Sequence, residues 1–363
     1  MLGGGWVNTD GRKDLAILFG GLSEEHDVSL MSVRSIWAAL NRDRYNVIPI
    51  GITRGGAWYL AEDPEEWMEG GIPDGPGPQG RVRLDPGPGG GMLVGPQNRR
   101  LDVDVVFPVL HGPYGEDGRV QGALDLLGIP YVGSGAAASG AAMDKEIMKN
   151  LFLAAGLPVT DFLAYRIDEI VDDEQRIVTE TEKELGLPCF VKPACLGSSV
   201  GVSRVNRAED LPWALRVAAS HDAKVLIEPA VIGARELECS VLGNTELRVA
   251  GPGEIISPGC FYDYDAKYFA EDTQLVIPAQ VSGEVAEQTR TIAELAFGAV
   301  AARGMARVDF FYQEGDDRIV LNEINTIPGF TARSMYPRLL VSEGLSFEDL
   351  VDELIDLALQ DNH

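Results

Sequence analysis

One segment, Ala306 to Phe330, constrains the fold more than any other part of the sequence. Its pattern predicts two β-strands joined by a turn over residues 314–317. Apolar residues flank the polar ones in both strands, and they are Val308, Phe310, Ile319, Leu321 and Ile324. This flanking indicates a buried hairpin, so the chain must build a core around strands that also carry charged side chains.

The polar side chains of this hairpin are predicted to meet on shared faces, because side chains alternate along a strand. One set is Arg307, Asp309 and Phe311, and the other is Leu321, Glu323 and Asn325. In a hairpin symmetric about Asp316, Asp309 lies opposite Glu323 and Arg307 lies opposite Asn325. Opposed, partly buried carboxylates are costly unless they are paired or bind metal. Oxygen ligands of this kind suit magnesium shared with phosphate; the alternative is a surface hairpin with solvated acids.

Composition limits the classes of partner. The net charge of −26 argues against binding to nucleic acid or to an anionic membrane, and an anionic substrate would need a local cluster of Lys and Arg. The four cysteines show no CxxC spacing and only four histidines occur, so we expect free thiols and no zinc site. Without a signal segment or an apolar run of about 18 residues, we expect a cytoplasmic protein.

The 363 residues predict about two or three domains. Strands alternating with helices over residues 13–139 indicate a parallel α/β sheet. We expect a second unit over 140–232 and a third over 233–360, which gives a mixed α/β and α+β chain. The segment Gly70–Gly95 is rich in Pro and Gly, and we interpret it as a loop insertion without chemistry.

A glycine-rich segment, Lys192–Gly201, lies between two predicted strands. Its backbone N–H groups, with Ser198 and Ser199, are suited to cradle phosphate. Lys192 and Lys145 would neutralise phosphate charge. The alternative is an ordinary hairpin turn with solvated lysines.

The apolar run Leu226–Val231 offers a slot for an adenine ring, and Glu236 soon after it is placed to hold ribose hydroxyls. An interdomain connector with a solvated Glu is the alternative. The aromatic and charged segment Phe261–Phe269 suits a lid that excludes water, although a packed surface loop would look similar.

Two polar loops, residues 21–29 and 111–118, follow the carboxyl ends of predicted strands, where ligands bind in open α/β sheets. Glu25 could hold a substrate ammonium, and His111 could lie near its carboxylate. The alternative is helix capping by Ser23 or Asp117. Near the hairpin, the Gly329 N–H could join Arg307 in an oxyanion hole.

Taken in order, these motifs resemble the D-alanine–D-alanine ligases of the ATP-grasp superfamily, from about Leu15 to Leu359. The strings that carry the resemblance are GGLSEEHDVSL, LHGPYGEDGRVQG, GIPYVGSG, MDK, KPACLGSSVGV, FYDYDAKY, ARVDFF and LNEINTIPGFT. The resemblance implies a three-domain ATP-grasp fold whose N-terminal α/β unit is the preATP-grasp domain. Cys195 departs from the pattern, since a polar residue is expected there.

The resemblance also implies a role for each matching residue. Glu25, linked to Ser198 and Tyr268, would orient the ammonium of the first D-alanine, and His111 would lie by its carboxylate. The implied nucleotide ligands are Lys145, Lys192 and Ser199 for phosphates, Lys267 for the γ-phosphate, Glu228 for adenine and Glu236 for ribose. Arg307 and the Gly329 N–H would stabilise the oxyanion, and Ser334 would bind the second carboxylate. Asp309, Glu323 and Asn325 would hold two Mg²⁺ ions, or Mn²⁺.

The implied activity is the ATP-dependent ligation of two D-alanines through an acyl phosphate, in a cytoplasmic homodimer that supplies peptidoglycan precursors. Tyr268 within DYDAKY fits the dipeptide-forming branch of the family. The segment SEEHDVS around Glu25 also resembles the vancomycin-resistance ligases. D-serine or D-lactate as the second substrate therefore stays open. A nucleotide-binding regulatory protein without catalysis is the alternative from another class, and the intact set of hairpin residues argues against it.

Overall fold

The computed structural model describes residues 11–75, 77–87, 91–256 and 273–360. The predicted lid segment, with Lys267 and Tyr268, lies outside these residues. In the N-terminal unit the strands are β1 Lys13–Gly20, β2 Tyr45–Ile52, β3 Trp58–Leu60, β4 Val82–Asp85, β5 Gly91–Val94, β6 Arg99–Leu101 and β7 Val105–Val109. The helices are α1 His26–Ala39, α2 Pro64–Gly70 and α3 Arg119–Leu127.

The N-terminal unit contains the predicted parallel sheet. Strand β1 lies between β2 and β7 and runs parallel to both, and β3 pairs antiparallel at the edge. All five residues of Leu15–Phe19 are fully buried, which explains why β1 is a continuous apolar run. Because β1 and β7 are parallel neighbours, the polar loops that follow them lie together at the carboxyl end of the strands.

The interpretation of Gly70–Gly95 as a plain loop was wrong. Strands β4, β5 and β6 form a separate antiparallel sheet, whose buried face includes Val82, Met92 and Val94. These side chains alternate with exposed ones along short strands. The many Pro and Gly residues around them masked the alternation in the sequence.

The middle of the chain forms another sheet, here called the central sheet, with the order β10–β9–β11–β8 and antiparallel neighbours. Its strands are β8 Leu163–Arg166, β9 Cys189–Pro193, β10 Ser203–Val205 and β11 Lys224–Pro229. The helices here are α4 Ala136–Met143, α5 Lys145–Ala154, α6 Ile167–Asp172, α7 Glu174–Glu184 and α8 Leu211–Ala219.

Two breaks between helices of this unit are explained by capping. Helices α4 and α5 are separated at Asp144, whose carboxylate accepts hydrogen bonds from the N–H groups of Glu146 and Ile147 and caps α5. Helices α6 and α7 are separated at Asp173, whose side chain caps α7. Both breaks occur at an Asp, a residue that favours caps over helix interiors.

The C-terminal sheet has the order β14–β13–β12–β15–β16, with antiparallel neighbours throughout. Its strands are β12 Arg235–Gly243, β13 Leu247–Ile256, β14 Gln274–Val276, β15 Gly304–Gln313 and β16 Arg318–Asn325. The helices are α9 Gly283–Ala299, α10 Met335–Ser342 and α11 Phe347–Gln360. Strand β13, with its mixture of Gly, Pro and Glu, was not predicted from the sequence.

The main cores connect these units. Helix α5 buries Met148 and Phe152 in the core between α9 and the C-terminal sheet. Helices α10 and α11 bury Leu339 and Leu354 in the core that also holds Phe19 of β1. The predicted domain boundaries at 139 and 232 remain predictions. No helix within the described ranges is long and apolar enough to cross a membrane.

Candidate active site

The hairpin β15–β16 has the predicted register, with Asp309 opposite Glu323 and Arg307 opposite Asn325. The prediction that Leu321 shares their face was wrong. The register shifts by one residue at Asn322, so Leu321 pairs with Phe310 and is fully buried in the core. A β-bulge of this kind redirects side chains and is common beside active sites.

Arg307 is the centre of the charged cluster on this hairpin. Its Nε and one terminal nitrogen each lie 2.7 Å from a carboxylate oxygen of Asp309, a bidentate pair. Its Nε also lies 3.1 Å from Glu238 on β12, directly opposite Asp309. The Asn325 side-chain amide donates to Asp309 at 3.1 Å. Burial alone would lower the pKa of Arg307, but the two carboxylates raise it well above its usual value.

A cavity of about 580 Å³ extends from this cluster to the loops that follow β1 and β7. Glu25 and His111 line it, as do Arg307, Gly329 and Ser334. They come from three distant parts of the sequence, which contain Glu25, His111 and the stretch from Arg307 to Ser334. The fold therefore brings together the residues that the sequence predicted for amino-acid binding and for the oxyanion.

Glu25 is buried and accepts a hydrogen bond from the Ser198 hydroxyl of the glycine-rich loop. A Cβ atom at Gly112 would lie 2.2 Å from a Glu25 carboxylate oxygen, and the φ of Gly112 is +73°. Only glycine fits this position without strain. The loop after β7 therefore approaches Glu25 closely and fixes the side of the cavity at which an ammonium could bind.

His111 is 3% exposed and is held by two hydrogen bonds. Nδ1 donates to the carbonyl of Ile327 at 3.1 Å, and Nε2 accepts from the Ser32 hydroxyl at 2.8 Å. Burial lowers the pKa of His111 to about 4. The ring is therefore neutral at physiological pH, and it acts on a ligand as a dipole and not as a cation.

Glu116 also lines this cavity and was not singled out from the sequence. Its carboxyl oxygen accepts from the Gly112 N–H at 2.6 Å. Burial, followed by repulsion from Glu25, raises the pKa of Glu116 to about 8. Glu116 belongs to the GEDG string, where an acid in a Gly-rich loop looks solvent-exposed from sequence alone.

A second cavity, of about 320 Å³, lies between the central sheet (β8 to β11) and the C-terminal sheet. Its apolar lining includes Phe190, Val202, Val231, Ile232 and Leu237. The polar residues predicted to bind nucleotide also line it, and they are Lys145, Lys192, Ser199, Glu228 and Glu236. Apolar walls with a few convergent polar groups are typical of a small-molecule site.

Glu228 forms an ion pair with Lys192, and its other oxygen lies 3.1 Å from Lys149 Nζ. Burial alone would raise the pKa of Glu228, but the two lysines lower it to about 2. Lys149 and Glu238 were both missed from the sequence. Each is a charged residue among apolar neighbours in a regular element, and that contrast is the available signal.

The glycine-rich loop between β9 and β10 is a built structure and not a simple turn. Ser198 and Ser199 have φ values of +50° and +59°, which are uncommon for residues other than glycine. Asp222 accepts from the Cys195 N–H at 2.6 Å, and Lys145 Nζ donates to the Leu196 carbonyl at 2.7 Å. The loop is therefore fixed by contacts with α5 and with the segment that precedes β11.

Cys195, where a polar residue was expected, makes polar contacts. Its thiol lies 3.6 Å from an Asp144 oxygen. Burial, followed by repulsion from Asp222 and Asp144, raises the pKa of the thiol to about 12. Cys195 is therefore a thiol at neutral pH and takes the place of a polar donor in the loop.

The two cavities meet at residues that line both of them. These residues are Lys145, Gly197, Ser198, Glu238 and Glu323. Lys145 Nζ lies 3.8 Å from Glu323. A ligand in one cavity would therefore contact a ligand in the other beside a lysine, a hydroxyl and the acidic hairpin.

Ser334 is the residue that immediately precedes α10. Its hydroxyl oxygen accepts from the Thr331 backbone N–H at 3.0 Å and shares a second hydrogen bond with Thr331 Oγ1 at 2.8 Å. A Cβ at Gly329 would lie 3.1 Å from the Ser334 oxygen. The two residues are thus adjacent at the end of the first cavity. The N-terminus of α10 is favourable for a carboxylate.

The predicted metal ligands Asp309, Glu323 and Asn325 present oxygen atoms beside the junction of the cavities. The side chains of Asp309 and Glu323 are 13% and 22% exposed, so both retain access to a ligand. Within the described ranges, no group of three or more His, Cys, Asp or Glu residues could hold a metal by itself. Two carboxylates and an amide fit Mg²⁺ whose remaining ligands are phosphate oxygens and water.

Comparisons with known proteins identify the family of this chain. Family models described as "D-ala D-ala ligase N-terminus" and "D-ala D-ala ligase C-terminus" match residues 14–134 and 151–356. The D-alanine--D-alanine ligase of Thermoanaerobacter sp. (strain X514) is 46% identical over 361 residues, covering 97% of this chain and 98% of the relative. That of Mycolicibacterium smegmatis is 45% identical over 367 residues, covering 96% of each chain.

Solved structures show the same relationship. The VanG D-Ala:D-Ser ligase from Enterococcus faecalis superposes with a TM-score of 0.86 at 36% identity, covering 96% of this chain and 99% of that chain. The D-alanine-D-alanine ligase from Coxiella burnetii gives 0.81 at 33% identity, covering 97% and 96%. The family and the fold predicted from the motifs are confirmed: this chain belongs to the D-alanine–D-alanine ligase family and has its ATP-grasp fold.

Proposed function

We propose that this protein joins two D-alanine molecules into D-alanyl-D-alanine, with ATP hydrolysed to ADP and phosphate, for peptidoglycan precursor synthesis. The observation that carries the proposal is the meeting of the two cavities at Lys145, Ser198 and Glu323. One cavity has the size and polarity for two small amino acids, and the other has an apolar slot for a nucleotide base. Their junction is where a phosphoryl group would pass to a carboxylate.

In the first cavity, Glu25 would hold the ammonium of the first D-alanine. The hydrogen bond from the Ser198 hydroxyl orients the Glu25 carboxylate for this contact. His111, neutral and fixed by Ser32 and the Ile327 carbonyl, would lie beside the substrate carboxylate without neutralising it. This matters because the carboxylate must remain nucleophilic to attack the γ-phosphorus. Tyr268 is assigned beside Glu25 by family resemblance alone.

In the second cavity, Lys145 and Lys192 would neutralise the phosphates, and backbone N–H groups of the glycine-rich loop, with Ser199, would cradle them. Glu228 is proposed for adenine and Glu236 for ribose. Asp309, Glu323 and Asn325 would hold two Mg²⁺ ions, which would supply charge neutralisation of the transferring phosphoryl group. Lys267, assigned by resemblance alone, would reach the γ-phosphate.

The proposed reaction has two steps. A carboxylate oxygen of the first D-alanine attacks the γ-phosphorus of ATP. The bond between the γ-phosphorus and the β–γ bridging oxygen breaks, which gives an acyl phosphate and ADP. The amine of the second D-alanine, whose carboxylate Ser334 would hold, attacks the acyl carbon, and phosphate leaves. Arg307 and the Gly329 N–H would stabilise the oxyanion of that tetrahedral intermediate.

The test is phosphate release from ATP with magnesium, measured with and without D-alanine. We expect release to depend on D-alanine and to fall by about 10²-fold or more in Asp309→Asn and in Glu323→Gln. Asp316→Asn is the matched control, because it makes the same change in the exposed turn of the same hairpin. Phosphate release that is independent of D-alanine, or equal in all variants, would refute the proposal.

D-Serine as second substrate is the competing possibility, favoured by the similarity to VanG at a TM-score of 0.86. Mass spectrometry of products from ATP, magnesium and an equimolar mixture of D-alanine, D-serine and D-lactate separates the cases. We expect D-alanyl-D-alanine to dominate. If D-alanyl-D-serine or D-alanyl-D-lactate were the main product, the protein would instead be a ligase for that product.

A further inference from the structure

Lys149 is a buried lysine that the proposed reaction does not use. Its side chain is 1% exposed, on the face of α5 that packs into the core with Met148 and Phe152. Its Nζ donates to Thr160 Oγ1 at 2.8 Å and lies 3.1 Å from Glu228 Oε2. Lysine is almost never fully buried unless it is paired, so this position requires a reason.

The partner of Lys149 is shared. Glu228 binds Lys149 with one carboxylate oxygen and Lys192 with the other. Lys192 and Glu228 line the second cavity, whereas Lys149 does not. Glu228 is therefore held by one cation on the core side and by one on the ligand side.

This arrangement has a consequence for ligand binding. A phosphate that recruits Lys192 must compete with Glu228 for it. If Lys192 were the sole counter-ion of Glu228, its departure would leave a buried carboxylate unpaired, which is strongly unfavourable. With Lys149 in place, Glu228 keeps one ion pair and its orientation after Lys192 has moved.

We propose that Lys149 is a positioning residue that retains Glu228 as an ion-pair partner, so that Lys192 is released to bind the nucleotide. The proposal rests on the proposed function, because it assumes that the second cavity takes a nucleotide. Lys149 itself touches neither substrate nor the reacting atoms. Its removal should weaken nucleotide binding and leave the amino-acid cavity unaffected.

The experiment measures magnesium–ADP binding to the full-length protein by calorimetry, together with steady-state kinetics. In Lys149→Met we expect about a tenfold weaker binding of magnesium–ADP and a similar rise in KM for ATP. We expect KM for D-alanine to remain unchanged. Lys183→Met is the matched control, because Lys183 is exposed on α7. Lys149→Gln removes the same charge but keeps a polar end group for Thr160, so it gives the same test if the Met variant does not fold.

A double-mutant cycle distinguishes positioning from a merely structural role. In a Glu228→Gln background, Lys192 no longer has a carboxylate to hold it, so Lys149→Met should weaken magnesium–ADP binding no further. Lys149→Arg, which keeps the charge, should bind within about threefold of wild type. Wild-type affinity in both Lys149→Met and Lys149→Gln would overturn the inference, as would an equal loss in the two backgrounds. Absence of magnesium–ADP binding in the wild type would instead overturn the proposed function.

Discussion

The ion-pair cluster around Arg307 gives a prediction that depends directly on the geometry. Arg307→Met removes the guanidinium and retains a long apolar side chain. Asp309 then loses a bidentate pair with both distances at 2.7 Å, and Glu238 loses a contact at 3.1 Å. The two carboxylates are cross-strand neighbours whose side chains are only 13% and 7% exposed.

The expected cost follows from this burial. Removing one partner of a buried ion pair typically lowers the free energy of unfolding by about 3–5 kcal/mol, because the remaining charge stays desolvated. Here two carboxylates remain, so we expect at least the lower value, about 3 kcal/mol. Arg307→Lys keeps a charge but cannot form the planar fork, and we expect an intermediate loss.

Urea unfolding followed by tryptophan fluorescence measures the change, with wild type and variants compared at the same pH and salt. The double variant Arg307→Met with Glu238→Gln is the control, since it removes the repulsion between the carboxylates. It should regain about 1 kcal/mol or more relative to Arg307→Met alone. A loss below about 1 kcal/mol in Arg307→Met, or no recovery in the double variant, would refute the assignment of Arg307 as the counter-ion of both acids.

Two further predictions concern Leu321 and Glu116. Leu321→Ala should lower the free energy of unfolding by about 2–5 kcal/mol. Asn322→Ala, at the bulge itself, should change it by no more than about 0.5 kcal/mol. Equal effects of the two substitutions in urea unfolding would contradict the bulge. Folded Glu116 keeps its proton up to a pKa of about 8, above the ordinary carboxyl value of 4.5. It therefore contributes stability that is complete below pH 4.5 and is lost as the pH rises towards 8. Glu116→Gln should remove that pH-dependent component, which is at most about 1.4 kcal/mol per pH unit. The difference in free energy of unfolding between wild type and variant should therefore change with pH between 4.5 and 8. A constant difference would contradict the raised pKa.

The sequence was sufficient to predict that Asp309 lies opposite Glu323, that the N-terminal sheet is parallel, and that several polar residues now seen to line the two cavities belong to a site. Each of these rests on a local signal: alternation around Asp309 and Glu323, apolar runs such as Leu15–Phe19, and polar loops at strand ends. The family motifs then added roles that spacing alone left open.

The misses have a different physical origin. The bulge at Asn322 reverses the direction of Leu321, and no local preference marks a register shift between two strands. The sheet of β4, β5 and β6 is surrounded by Pro and Gly, and its few buried side chains are too widely spaced to stand out. Lys149, Glu116 and Glu238 were missed because burial of a charge is decided by partners that are distant in the sequence.

The cations of the site show how a chain with a net charge of −26 can prepare a place for anions. Lys145 lies 3.8 Å from Glu323, Lys192 is paired with Glu228, and Arg307 is paired with Asp309. Each cation therefore has a carboxylate of the protein as its partner before any substrate is bound. In the proposed function Asp309 and Glu323 would hold Mg²⁺, and Lys145 and Arg307 would then be available to the phosphoryl group and the oxyanion. Under that proposal, nucleotide and metal binding would exchange ion pairs within a preformed site, which would account for the position of Glu323 and Lys145 where the two cavities meet.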